Sequence, residues 1–329
     1  MPILILTIAD SKAQTFARPD GPFASAMARL PKDAKVIVTE DPAKLRENAP
    51  DADVIFYAHV RPALLTDIIP LAKRARWIHS LWTGVEGILG PESRAHSATL
   101  TNGRGVFRWP LADWVTGVML YFAFDFRRVI QQQEKELWKP VIGKMLDGQT
   151  LGVVGYGAIG SAIATRARVF GMKIAALRRR PELFEGDALV DHPFGAGQLQ
   201  ELMALSDYIV SVTPLTNETR GLIGKDEIAR MKPSAVFINI GRGPVVDEAA
   251  LTEALEAGRI RGAALDVFDT EPLPAGHPFW KMPQVLLSPH TADRVEDFLV
   301  PAFDCFVGNA QRFFEGLPLL NVVDKDGGY

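Results

Sequence analysis

Short apolar runs rich in Ile and Val recur through the first hundred residues, at 3–8, 35–38, 54–57, 77–81 and 98–101. Runs of this length bounded by turn residues predict buried strands, and the helix-forming segments between them, such as 43–48 and 62–74, make the pattern strand, helix, strand. A second series follows at 150–155, 173–177, 208–212, 235–240, 262–268 and 284–287, again alternating with helical segments. Ile159, Ile163, Ala167 and Phe170 keep the 3.6-residue period of a crossover helix lying on a parallel sheet. Between the two series, residues 111–133 read as one long helix. From Val295 to Phe314 the apolar positions step by three and one, which predicts an amphipathic helix kinked at Pro301. The expected fold class is α/β with two domains. Residues 102–292 form a Rossmann-type doubly wound parallel sheet, and residues 1–101 form a smaller flavodoxin-like layer completed by the C-terminal helix of 293–329.

Composition narrows the function. A chain of 329 residues suits roughly two domains. Lys and Arg number 36 against 39 Asp and Glu, a net charge of −3, so nothing favours a nucleic-acid partner. A single cysteine, Cys305, permits no internal disulfide and no multi-cysteine metal centre, which points to a reducing, cytoplasmic setting and no metal. The first nine residues lack a basic leader and read as a strand. The apolar stretch 114–124 falls short of the roughly 20 residues that span a bilayer, so no membrane association is expected.

Gly155, Gly157 and Gly160 form a G-x-G-x-x-G turn directly after an expected strand and at the start of an expected helix. The first glycine permits the turn, the second lets a pyrophosphate approach the backbone, and the third lets helix and strand pack closely. At the end of the next strand an acidic residue would bind the ribose of NAD. This chain instead has Arg178, Arg179 and Arg180, which favours the 2′-phosphate of NADP. The competing reading is a solvated basic turn with Glu182 on the ribose.

Three further segments fall at strand ends on the same sheet edge, carrying Arg242, then Asp266 and Glu271, then His290. Reducing a 2-oxo acid needs a fixed cation for the carboxylate and carbonyl, and a proton donor beside the oxygen that becomes an alkoxide. Arg242 and His290 suit those needs, and a carboxylate such as Glu271 on the second ring nitrogen would keep the imidazole protonated. Taken singly, Arg242 is equally a surface ion-pair partner, His290 a core histidine and Glu271 a turn residue.

From about residue 151 to 292 the chain resembles the D-isomer-specific 2-hydroxyacid dehydrogenase family, through GYGAIG, TPLTNETRGLIG, INIGRGPVVDEAAL, AALDVFDTEPLP and SPHTA in that order. The resemblance implies that Arg242 binds and polarises substrate, Glu271 partners His290, and His290 is the acid/base. It implies cofactor contacts from Tyr156, Gly157, Ala158, Ile159, Thr213, Pro214, Ile240, Asp266 and His290. LWTGVEGI resembles the family's carboxylate-binding loop, which implies Thr83, Gly84 and Val85 in that role. Three positions depart from the family pattern: Glu86 where Asp is common, Asp293 where a small residue is common, and, most clearly, Arg178 where an acidic residue is usual. The arginines at 178–180 resemble those of NADP-preferring glyoxylate and hydroxypyruvate reductases. The implied activity is hydride transfer from NADPH, less well from NADH, to a small 2-oxo acid, giving the D-2-hydroxy acid. A corepressor-like nucleotide-binding scaffold and a formate or phosphite dehydrogenase are the alternatives. The family also implies a homodimer through the dinucleotide-binding domains. Trp114, Met119, Phe122 and Phe126 would then lie at the interface unless they pack on their own domain, and Trp138 would reach the partner's cleft.

Overall fold

Leu4–Ala9 (β1) is buried along its whole length, as a strand flanked on both edges and covered on both faces must be. It pairs in parallel with Lys35–Thr39 (β2) and Val54–Ala58 (β3), and the sheet continues through Trp77–Ser80 (β4) and Thr99–Thr101 (β5). The order is β2-β1-β3-β4-β5, the flavodoxin-like arrangement. Short helices connect the strands: Pro22–Ala28 (α1), Pro42–Asn48 (α2), Ala63–Thr66 (α3) and Pro91–Ala95 (α4). Asp41 caps α2 by accepting the Ala43 N–H at 2.9 Å. The computed structural model describes residues 3–10 and 20–328. The chain divides into two units, Met1–Phe107 with Val295–Tyr329, and Arg108–Arg294.

The second unit opens with Arg108–Ala123 (α5) and Phe126–Glu134 (α6), where the apolar pattern alone predicts one helix. Asp125, in the left-handed region at φ 50°, makes the break. Seven parallel strands follow: Thr150–Val154 (β6), Lys173–Leu177 (β7), His192–Phe194 (β8), Tyr208–Ser211 (β9), Val236–Asn239 (β10), Gly262–Leu265 (β11) and Val285–Leu287 (β12). Their order is β12-β11-β10-β9-β6-β7-β8, so the winding reverses between β6 and β9. This is the doubly wound sheet expected from the sequence. The sequence pattern misses β8, a three-residue edge strand whose Pro193 is tolerated because one edge needs no donor. Ala158–Val169 (α7), Leu199–Leu205 (α8), Lys225–Ala229 (α9) and Glu248–Glu256 (α10) lie among these strands in sequence. Leu202, Met203, Phe237, Leu251 and Phe279 are among the core residues of this unit.

Met119 and Phe122 of α5 are buried in their own unit. A Cβ at Gly262 would lie 2.7 Å from the Phe122 ring, so the glycine makes room for it. Exposed apolar residues of this region include Phe124, Phe126, Ile130, Trp138, Ile142 and Met145.

In the first unit, Val300–Phe314 (α11) covers one face of the sheet. Thr7, Phe56, His79 and Thr101 stand in register across β1, β3, β4 and β5, and therefore share a face. Phe306 stacks on Phe56 at 3.8 Å, and Phe303 meets Phe23 edge-on at 5.5 Å. Pro301 does not kink this helix. Asp297 at φ 57° ends the preceding turn and the helix begins at Val300, so Pro301 sits in the first turn, where no N–H bond is lost. None of the described helices is long and apolar enough to cross a membrane.

Candidate active site

All strands of the second sheet are parallel, so their carboxyl ends lie along one edge, the edge where open α/β sheets bind ligands. At the end of β6, Gly155 has φ 104° and lies so close to Thr213 that a Cβ would stand 2.9 Å from its backbone nitrogen. Gly160 is equally constrained, with the Gly155 carbonyl 2.7 Å from any added Cβ. Gly157 differs, because a Cβ there would meet nothing within 4 Å. It caps α7 without any side-chain bond, which leaves the positive end of the helix facing open space. The Thr213 hydroxyl beside this turn is buried and has no protein partner. An open backbone, a helix N-terminus and a buried polar atom without a partner at one sheet edge fit a dinucleotide. Pro214 is exposed and Ile240 buried at the neighbouring strand ends.

At the end of β7, Arg178 is held in place. Its guanidinium donates to the Leu183 carbonyl at 3.0 Å and lies 5.1 Å over the Phe184 ring. Arg179 and Arg180 are exposed, and Arg179 lies 3.7 Å from Glu218.

The ends of β10, β11 and β12 form a connected set. His290, in the left-handed region at φ 53°, donates its backbone N–H to the Asp266 carbonyl at 2.9 Å. The Asp266 carboxylate, 2% exposed, accepts from the Ser288 hydroxyl at 2.6 Å and from the N–H groups of Thr291 at 2.8 Å and Ala292 at 3.1 Å. Asp266 thus folds the turn that aims the imidazole. His290 Nδ1 lies 2.8 Å from Glu271 Oε2, and Glu271 Oε1 accepts the Phe268 N–H at 3.0 Å.

The hydrogen bond to Glu271 raises the His290 pKa, with burial and the Arg242 charge opposing it. For Glu271, burial pushes upward, but His290, the Phe268 N–H and Arg242 together hold it below the ordinary carboxylate range. Arg242 donates Nη1 to the Gly241 carbonyl at 2.7 Å. The next residue, Gly243, packs so tightly on Phe268 that any Cβ would overlap its carbonyl, which locks the arginine segment to the Glu271 loop. Sequence reasoning missed Ser288, which is two residues from His290, and missed Glu248. One Glu248 oxygen accepts the Asp269 N–H at 3.1 Å and the other lies 3.2 Å from His277 Nε2.

Thr83, Gly84 and Val85 follow β4 in the first unit. Thr83 donates its hydroxyl to the Gly103 carbonyl at 3.1 Å, its own carbonyl accepts from Asn102 at 2.7 Å, and the Val85 side chain is buried.

A doubly wound sheet with a glycine turn and a His–Glu pair at its carboxyl edge defines an oxidoreductase that works with a dinucleotide. Residues 116–292 match the family described as D-isomer specific 2-hydroxyacid dehydrogenase, NAD binding domain. The chain is 34% identical over 303 residues to a glyoxylate reductase of Korarchaeum cryptofilum, covering 85% of this chain and 89% of that protein. It is 40% identical over 266 residues to glyoxylate/hydroxypyruvate reductase B of Pectobacterium atrosepticum, covering 78% and 82%. An NADPH-dependent glyoxylate/hydroxypyruvate reductase of Sinorhizobium meliloti, solved with NADP and sulfate, superposes with a TM-score of 0.84 at 26% identity over 100% of both chains. A D-isomer specific 2-hydroxyacid dehydrogenase of Xanthobacter autotrophicus, solved with NADPH and MES, gives 0.83 at 27% identity over 99% of both. The chain belongs to the D-isomer specific 2-hydroxyacid dehydrogenase family.

Proposed function

We propose that this protein reduces small 2-oxo acids, of the size of glyoxylate or hydroxypyruvate, to D-2-hydroxy acids, with NADPH as the preferred donor and NADH the poorer one. The observation that carries this reading is the 2.8 Å contact of His290 with Glu271 on the same sheet edge as the glycine turn. The names of the relatives and the NADP-bound neighbours support it.

The turn of Tyr156, Gly157, Ala158 and Ile159 holds the pyrophosphate, and Arg178, Arg179 and Arg180 hold the 2′-phosphate. Thr213, Pro214, Ile240 and Asp266 line the nicotinamide side. When bound, the reduced nicotinamide supplies a hydride to the keto carbon. Arg242 binds the substrate carboxylate and polarises the carbonyl. Glu271 accepts the Nδ1–H of His290, which fixes the ring and keeps it protonated to higher pH than a free imidazole. His290 Nε2–H then donates its proton to the oxygen as negative charge develops there. Residues 1–101 with 293–329, which carry the loop of Thr83, Gly84 and Val85, act as the substrate domain, and 102–292 as the dinucleotide domain. Two copies pair through the second units by way of the exposed apolar residues near α6, in the cytoplasm, with small molecules rather than nucleic acid as ligands.

The test is a panel of 2-oxo acids assayed in parallel with NADPH and NADH. Turnover of glyoxylate or hydroxypyruvate with NADPH is expected. Tight nucleotide binding with negligible turnover would instead identify a scaffold, and preferred oxidation of formate or phosphite would overturn the substrate class. Arg178→Asp is expected to weaken NADPH binding by roughly tenfold to a hundredfold and leave NADH nearly unchanged. Equal losses for both nucleotides in a binding titration would remove the phosphate role.

A further inference from the structure

The segment that carries Glu271, from Val267 to His277, contains no helix or strand. It nevertheless holds the Glu271 carboxylate 2.8 Å from His290. Glu248, in the first turn of α10, grips this segment on both sides of Glu271, taking the Asp269 N–H at 3.1 Å and facing His277 Nε2 at 3.2 Å. His277 is anchored in turn. Its Nδ1 accepts the Phe279 N–H at 3.3 Å, which leaves Nε2 as the protonated nitrogen, the one that faces Glu248. Its ring lies 4.7 Å from that of Phe279, a core residue 1% exposed. The side chains of His277 and Glu248 are only 18% and 24% exposed, so the bridge is far less screened by water than a surface pair.

We infer that Glu248 is a positioning residue for the acid/base pair: by joining Asp269 to His277 it closes the Glu271 segment into a clasp and keeps that carboxylate on the imidazole. This rests on the roles proposed above for Glu271 and His290. Glu248→Ala removes both anchors at once, and Glu271 then drifts from His290. The other charged groups acting at the ring stay in place: Arg242 after β10, Asp266 after β11 and Asp293 beyond the imidazole. His290 therefore loses the neighbour that raises its pKa. Reduction needs the protonated ring, so its rate falls as pH rises through that pKa, and the fall moves to lower pH in the variant.

The experiment is a pH series of kcat and kcat/KM for the wild type, Glu248→Ala, Glu248→Gln and Glu271→Gln, with nucleotide Kd and thermal midpoint measured for each. Glu248→Ala is expected to lower kcat roughly tenfold to a hundredfold, move the basic limb to lower pH and leave nucleotide Kd unchanged. Glu248→Gln keeps one acceptor oxygen in place of two, so it can hold Asp269 or face His277 but not both, and is expected to recover only part of the loss. If Glu271→Gln moves the basic limb and Glu248→Ala does not, the clasp is wrong. If Glu271→Gln itself leaves the limb in place, the fault lies with the acid/base reading. Should Glu248→Ala not fold, His277→Leu removes one anchor alone and is expected to shift the limb in the same direction by less; no shift there overturns the inference.

Discussion

The aromatic face of the first sheet and the carboxyl edge of the second each hold a histidine, and the two environments drive the rings in opposite directions. His79 on β4 is 0% exposed, among Phe56, Trp77 and Phe306. Its Nδ1 lies 2.7 Å from the Thr101 hydroxyl, which also takes the Trp77 indole N–H at 2.8 Å, while Nε2 has no partner. Burial pushes its pKa down to about 3. His290 is half-exposed at the end of a strand, with a carboxylate on Nδ1 that raises its pKa. An imidazole inside a strand is excluded from water by its neighbours on both sides. One just past a strand end keeps a face open to substrate, and a loop can bring it a counter-charge. Catalytic competence here follows from place in the sheet, not from residue type.

The largest effect is expected where the ring meets substrate. His290→Ala should lower turnover roughly 10²- to 10⁴-fold while nucleotide affinity, measured by titration, is unchanged. Near-normal turnover would reassign the proton donor and dissolve the contrast. The next effect falls on stability. His79 has a folded pKa below its unfolded value, so its contribution is fully present above about pH 6.5 and is lost as pH falls towards 3. Between pH 7 and pH 5 this single group should cost about 2 kcal/mol of unfolding free energy. Chemical denaturation at the two pH values should show that loss in the wild type and a smaller loss in His79→Gln. Equal losses would mean that His79 is not the group that titrates. His290 contributes with the opposite sign, because its raised pKa favours the folded state at low pH and that share fades as pH rises through it.

The strands of both sheets were legible because Ile and Val runs such as 54–57 and 208–212 are short and bounded by turns. His192–Phe194 was not, because three residues with a central proline carry no period. The break at Asp125 was hidden for a different reason: the apolar pattern continues into α6, and only a backbone angle marks the interruption. At the site, the three glycines could be read from spacing alone, and each meets the surroundings its position in the motif requires. The chemistry of 2-oxo acid reduction made Glu271 and His290 candidates, and family resemblance was needed to choose them over the purely structural readings, since nothing local to either shows that they touch. The Glu248–His277 bridge gave no signal at all. It joins a helix start to a loop end, and only the tertiary fold brings the two together.

The smallest effect concerns the helix that seals His79 from water. Pro301 follows an apolar pattern already running through Val295, Phe298 and Leu299, and from sequence alone it reads as an interruption within one helix. Were that so, Pro301→Ala would repair a broken turn and stabilise the protein by up to about 3 kcal/mol. In the first turn of α11 the proline instead costs no hydrogen bond and restricts the unfolded chain, so its removal should destabilise by about 0.4–1 kcal/mol. The slope of stability with pH should stay as in the wild type, because Phe303 and Phe306 still cover the sheet. A steeper or flatter slope in denaturant titrations would show that the start of α11 controls access of protons to His79, and the two histidines would then differ less in kind than in the strength of their cover.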